Sequence, residues 1–192
     1  NPSQMIYCSA PDRGLSELLK MWPRIIAKWP NLKLVITGSW ALWGNSDEEN
    51  RRFFKELYDS IRKIPSIKLM ERVKKNELAI LQRQSRLMLY PTTFNEMYCI
   101  SALECSFVGT PIITSSLAAM NERVKDGVNG FLINGSAYSS NYQKEFIDKT
   151  DLLLNNDRLC KQFSNDSRKM IKNSYYSNIA FEWQEKFYEL LK

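Results

Sequence analysis

The alternation of short apolar runs with stretches of helical period constrains this chain more than any other feature. The runs are QMIYCS (4–9), LKLVITG (32–38), IKLM (67–70), SRLMLYP (85–91), PIITS (111–115) and FLI (131–133). Between them lie DRGLSELLKMWPRIIAKW (12–29), DEENRRFFKELYDSIRKI (47–64), KNELAILQRQ (75–84), CISALECSFV (99–108) and AAMNERVK (118–125). In the first of these Leu15, Leu18, Leu19, Trp22, Ile25 and Ile26 recur on one helical face. A strand that is apolar on both sides must be covered on both faces, and strands separated by helices pair in parallel. The order therefore predicts an α/β fold, a doubly wound, mostly parallel, six-stranded Rossmann-like sheet with helices on both faces. Asp47 is the predicted N-cap of the second helix, Pro23 a predicted kink in the first, and Gly109 the stop of 99–108. From Tyr142 to Lys192 the pattern is helical only. One domain, 1–192, is expected, with a sheet core at 4–135 and C-terminal helices at 142–192.

At 44% hydrophobic, the 192 residues can bury a substantial core. No apolar run approaches the ~20 residues of a membrane helix. The start, NPSQMIYCSAPDRG, lacks a signal-peptide pattern, and an opening Asn1 reads as a fragment of something longer. Four cysteines without a CxxC, and no histidine, argue against zinc and for a reducing, cytoplasmic setting. The net charge of +6 fits an anionic ligand, an acidic membrane surface or nucleic acid. The basic residues are interleaved with acids on helix faces, and the aromatics Trp22, Phe53, Phe54 and Phe187 fall at core-like positions. That is the pattern of a solvated surface rather than of a nucleic-acid stripe. No GxGxxG follows the first run, which argues against a dinucleotide oxidoreductase.

The stretch YPTTFNEMYCISALECSFVGTPIITS (90–115) places Glu96 in a loop and Glu104 eight positions later inside a helix. In doubly wound folds ligands bind at the carboxyl ends of strands, where this loop lies. The N-terminus of the helix that follows is an anion site. Carboxylates on either side of it accept hydrogen bonds from polyol hydroxyls. A phosphate between two polyols is a nucleotide sugar. Spacing alone does not decide this, because 21 acids in the chain produce such pairs by chance.

These residues carry a resemblance. The stretch is similar to the Glu-x7-Glu motif of retaining GT-B glycosyltransferases, glycosyltransferase family 4 in particular, in the frame F-x-E … E-A-x-x-x-G-x-P-V-I. NERVKDGVNGFLI resembles that family's E-x-V-x-D-G-x-N-G-x-L, and SAPDRGLSELLKMWPRI, LKLVITGSW and LYPTTF extend the likeness. It covers about residues 5–135 and, weakly, YSNIAFEWQEKFYELL near the end. A looser resemblance is to glycosyltransferase modules of large algal viruses, some of which transfer rhamnose.

The resemblance implies a C-terminal donor-binding half-domain that takes a nucleoside-diphosphate sugar, UDP first and GDP next, carrying a hexose or deoxyhexose. It implies Glu96 near the transferred sugar and Glu104 on the ribose, with the backbone of Asn95, Met97, Tyr98, Cys99 and Ile100 lining the diphosphate and sugar. The family's P-x-K-G falls on Arg13-Gly14, which makes Arg13 the diphosphate cation. The arginine that often precedes that lysine is missing from YCSAPDRG, which leaves its role to Ser9 or to backbone N–H groups. Gly38 and Ser39 would let the ligand approach closely. Arg72 and Val73 would pass the base, with Leu78 either against the base or in the core. Transfer would proceed with retention to a glycan or other hydroxyl acceptor, without a metal or other cofactor. The acceptor site would lie in an N-terminal domain or a partner. A non-catalytic nucleotide-sugar-binding module shares every one of these residues.

Overall fold

The computed structural model describes residues 2–38, 44, 46–171 and 175–191. Six strands, β1 (Gln4–Cys8), β2 (Lys33–Thr37), β3 (Ile67–Glu71), β4 (Leu87–Tyr90), β5 (Ile112–Ser115) and β6 (Gly130–Ile133), form one sheet in the order β3-β2-β1-β4-β5-β6. Every pairing is parallel. β1 runs in register with β2 (Gln4 beside Lys33) and with β4 (Met5 beside Leu87). The chain is therefore the α/β, doubly wound, Rossmann-like domain that the apolar runs predict. β1, β4 and β5 are buried almost throughout, as strands covered on both faces must be.

Helices α1 (Leu15–Lys28), α2 (Asp47–Phe53), α3 (Lys55–Arg62), α4 (Lys75–Gln84), α5 (Ile100–Val108) and α6 (Met120–Arg123) connect the strands; α7 (Ser140–Asn155), α8 (Asp157–Met170) and α9 (Tyr176–Leu190) close the described chain. Pro23 lies inside α1, which continues through it to Lys28.

Five local expectations are corrected. α1 starts at Leu15 rather than at residue 12, because Gly14 has φ 96 and cannot be helical. The single helix expected over 47–64 is two, since Phe54 (φ −98, ψ 17) departs from helical geometry; Phe54, Tyr58 and Ile61 lie in the core and Phe53 is 69% exposed. Its cap is Ser46, not Asp47. The Ser46 hydroxyl accepts from the Glu49 N–H and the Glu49 carboxylate accepts from the Ser46 N–H, a reciprocal capping box. The short helix expected at 118–125 is trimmed to Met120–Arg123, because Ala118 sits at φ 47 and Val124 is extended. Among the aromatics expected in the core, Trp22 and Phe54 are buried, but Phe53 and Phe187 are exposed. No helix among the described residues is long and apolar enough to cross a membrane.

Candidate functional site

The strand order reverses direction between β1 and β4, and the crevice beyond their carboxyl ends is where a ligand fits such a sheet. Two loops flank it: residues 9–14 after β1 and residues 91–99 after β4. The first carries Arg13 and the second Glu96. Arg13 Nη1 donates to both carboxylate oxygens of Glu96, at 2.8 and 2.9 Å. Both side chains are largely enclosed, 12% and 7% exposed. The guanidinium also lies 4.2 Å from the centre of the Phe94 ring. Burial pulls the Arg13 guanidinium down, and the Glu96 hydrogen bond and charge outweigh it, so its protonation is reinforced.

Beneath this pair the Tyr90 hydroxyl donates to Glu96 Oε1 and meets Ser9 Oγ at 3.2 Å. The backbone around Glu96 is held as well. Its N–H donates to the Phe94 carbonyl (2.9 Å), and its carbonyl accepts from the Ala119 N–H (3.1 Å). Ser9 and Arg13 of the first loop and Glu96 of the second thus form one polar cluster, Tyr90 joining Ser9 to Glu96 and Glu96 holding Arg13.

The two glycines expected at the site make close backbone approaches. A Cβ on Gly14 would sit 2.0 Å from the Pro91 carbonyl oxygen, and one on Gly38 would sit 2.0 Å from the Ser9 carbonyl oxygen. Gly38 also donates its N–H to the Glu71 carbonyl, which ties the ends of β2 and β3 together. Ser39 lies outside the described residues.

Helix α5 begins directly after the Glu96 loop. Cys99 takes the left-handed conformation, φ 56, so the helix starts at Ile100 rather than at 99, and no side-chain hydrogen bond among the described residues caps it. Met97 is 93% exposed; Asn95, Tyr98 and Ile100 are also open, and Cys99 is buried. Burial pushes the Cys99 thiol up to about 11, so it stays protonated at neutral pH. Iodoacetamide at pH 7.5 is therefore expected to spare Cys99 in the folded chain and label it in urea. Mass spectrometry of the labelled peptide reads this directly, and rapid native labelling would refute it.

Glu104 belongs to a second cluster. Lys75 pairs with its Oε1, and Gln82 Nε2 donates to its Oε2 at 3.4 Å, both from α4. Gln82 in turn reaches Cys8 Sγ at 3.7 Å. Arg72 is exposed and Val73 partly exposed just beyond β3, while Leu78 is partly buried and packs against the core. No group of three or more His, Cys, Asp or Glu side chains could hold a metal among the described residues.

Sequence reasoning missed Tyr90, Phe94, Lys75, Gln82 and Arg123. Arg123 stacks 4.0 Å over the Tyr98 ring and donates to the Tyr98 carbonyl, bracing the loop before α5. The seven-residue spacing of Lys75 and Gln82 marks one face of α4, a signal available in the sequence.

The chain is 23% identical over 177 residues to the capsular polysaccharide biosynthesis glycosyltransferase CapM of Staphylococcus aureus, covering 92% of this chain and 43% of that protein. It is 28% identical over 129 residues, 66% of this chain and 28% of the relative, to a D-inositol 3-phosphate glycosyltransferase of Stackebrandtia nassauensis. Among solved structures, the pneumococcal O-GlcNAc transferase GtfA, in complex with UDP and GlcNAc, superposes with a TM-score of 0.75 at 19% identity, over 99% of this chain and 36% of that one. HepE of Anabaena, in complex with UDP and glucose, gives 0.74 at 14% identity, over 98% and 48%. The chain spans less than half the length of each of these proteins. The family described as Glycosyl transferases group 1 matches residues 9–170. The chain belongs to the glycosyl transferases group 1 family.

Proposed function

We propose that this chain is the donor-binding half of a retaining, GT-B-type glycosyltransferase and takes a nucleoside-diphosphate sugar. The observation that carries the reading is the Arg13–Glu96 pair at the reversal of strand order, beside the start of α5. A cation and a helix N-terminus suit a diphosphate, and an acceptor-only carboxylate suits sugar hydroxyls. In this reading Arg13 swings from Glu96 to the diphosphate, or bridges both, and Glu96 faces the transferred sugar. Glu104 leaves Lys75 for the ribose hydroxyls. The backbone of Asn95, Met97, Tyr98, Cys99 and Ile100 lines the diphosphate, with Ser9, Gly14 and Gly38 at its rim. Arg72 and Val73 border the base.

As the bond to the sugar breaks, the leaving diphosphate gains charge. Arg13 and the α5 N-terminus stabilise that charge in place of a metal. UDP is the proposed nucleotide, since GtfA and HepE were solved with it. The sugar is a hexose or deoxyhexose and the acceptor a glycan or other hydroxyl. The acceptor site belongs to a second domain. The exposed Phe181, Trp183, Phe187 and Leu190 on α9 fit a helix that packs against such a neighbour.

Calorimetric titration of the chain with UDP, GDP, dTDP and ADP, with EDTA present, tests the donor site. Saturable binding of one nucleotide is expected, and Glu104→Ala is expected to weaken it about tenfold, the effect of losing hydrogen bonds to a charged group. Absence of binding to all four nucleotides would refute the donor-site reading for this chain.

A further inference from the structure

We infer that Tyr90 is a positioning residue that aims the Glu96 carboxylate at the sugar, an inference that rests on the donor-site reading above. Tyr90 is the last residue of β4 and is fully buried. Its ring packs edge-on against Tyr7, with centroids 5.7 Å apart and planes at 65°. That contact leaves the hydroxyl one direction, toward the carboxyl end of the sheet, where it donates to Glu96 Oε1 and meets Ser9 Oγ. A buried hydroxyl must find such partners, since water cannot reach it.

The consequence lies in how the two carboxylate oxygens differ. Among the described residues Oε1 accepts from both Tyr90 and Arg13, whereas Oε2 accepts from Arg13 alone. A carboxylate oxygen has two lone-pair directions, so the remaining acceptor capacity is concentrated on Oε2. With the Glu96 backbone pinned at both N–H and carbonyl, Tyr90 fixes the last torsion of the side chain from below. It does so without facing the ligand. Burial holds the Tyr90 hydroxyl well above its ordinary titration range, so it stays protonated and able to donate at neutral pH.

Tyr90→Phe removes one oxygen and keeps the ring contact with Tyr7, so the fold is retained. The test is calorimetric binding of UDP and of UDP-glucose to four proteins, namely the wild-type chain, Tyr90→Phe, Glu96→Gln and the double variant. The sugar is expected to tighten wild-type binding relative to UDP alone. Tyr90→Phe should lose most of that gain, about tenfold, while its affinity for UDP stays within about twofold. The double variant should bind UDP-glucose no more weakly than Glu96→Gln, because Tyr90 acts through Glu96. A merely structural tyrosine would weaken both ligands together, or would add to Glu96→Gln, and either result overturns the inference. So would a sugar that adds nothing to wild-type affinity, or a Tyr90→Phe chain that keeps the full gain. In those cases UDP still binds and the donor-site reading stands. A wild-type chain that binds neither ligand overturns the reading and the inference together.

Discussion

Arg13→Ala is expected to lower the stability of the chain as well as its affinity for a nucleoside diphosphate. The affinity loss follows from removing a charge-assisted pair, about 1.5–3 kcal/mol, or roughly ten- to 150-fold. The stability loss is the less obvious half. Glu96 is only 7% exposed on its side chain and lies between Arg13 and Tyr90. Without the guanidinium a largely buried carboxylate keeps a hydroxyl donor but has lost the cation bound to it. Breaking a buried pair from one side costs about 3 kcal/mol or more. For a chain of this length that corresponds to a drop in melting temperature of roughly 6–12 °C. The double variant Arg13→Ala/Glu96→Gln removes the orphaned charge and should recover most of the melting temperature while leaving nucleotide binding weak. Thermal melts and titrations of the three proteins separate the two effects. An Arg13→Ala chain that melts with the wild type would show a solvated surface pair of little consequence.

The same pair shows what the sequence could and could not reveal. The strands were legible because a parallel sheet is buried on both faces, so each appears as a continuous apolar run. Glu96 and Glu104 were legible as carboxylates on either side of a helix start. That Arg13 and Glu96 touch, 83 positions apart, was not legible, because it depends on β1 lying beside β4, which no local pattern encodes. The bend at Phe54 was hidden for a related reason. The apolar period of 47–64 runs unbroken through it, with Phe54, Tyr58 and Ile61 at the spacing of one continuous helical face, so nothing in the pattern marks the break. The left-handed Cys99 was hidden because that conformation is normally announced by Gly or Asn. The Ser46 cap was missed because Asp47 beside it is an equally good capping residue. Glu49, three positions after Ser46, is what marks the true start. Tyr90 looked like the end of a strand, and its hydroxyl became informative only once Ser9 and Glu96 were seen on either side of it.

Gly14→Ala is expected to have a large effect for so conservative a change, and to act on binding through backbone rather than charge. Gly14 sits at φ 96, which is costly for any residue with a Cβ. The added carbon would lie 2.0 Å from the Pro91 carbonyl oxygen, 2.8 Å from the Pro91 carbonyl carbon and 3.1 Å from the Thr92 Cα. All three are backbone atoms at the end of β4, so no rotamer change relieves the contact. The loop at residues 9–14 must lift away from the loop at residues 91–99. Those loops carry Arg13 and Glu96, so the displacement that relieves the clash also separates the pair. The expected loss exceeds about 3 kcal/mol of stability, the range reserved for backbone conflicts, together with nucleotide binding. Gly127→Ala is the matched control. Gly127 also has a positive φ, 71, but nothing among the described residues lies within 4 Å of its Cβ position. It should lose only the conformational term, about 1–2 kcal/mol, and bind nucleotide as the wild type does. Urea unfolding and UDP titration of both variants make the comparison. Equal losses in the two would mean that the loops after β1 and β4 are not in contact at Gly14, and the geometry assigned to the Arg13–Glu96 pair would have to be given up with it.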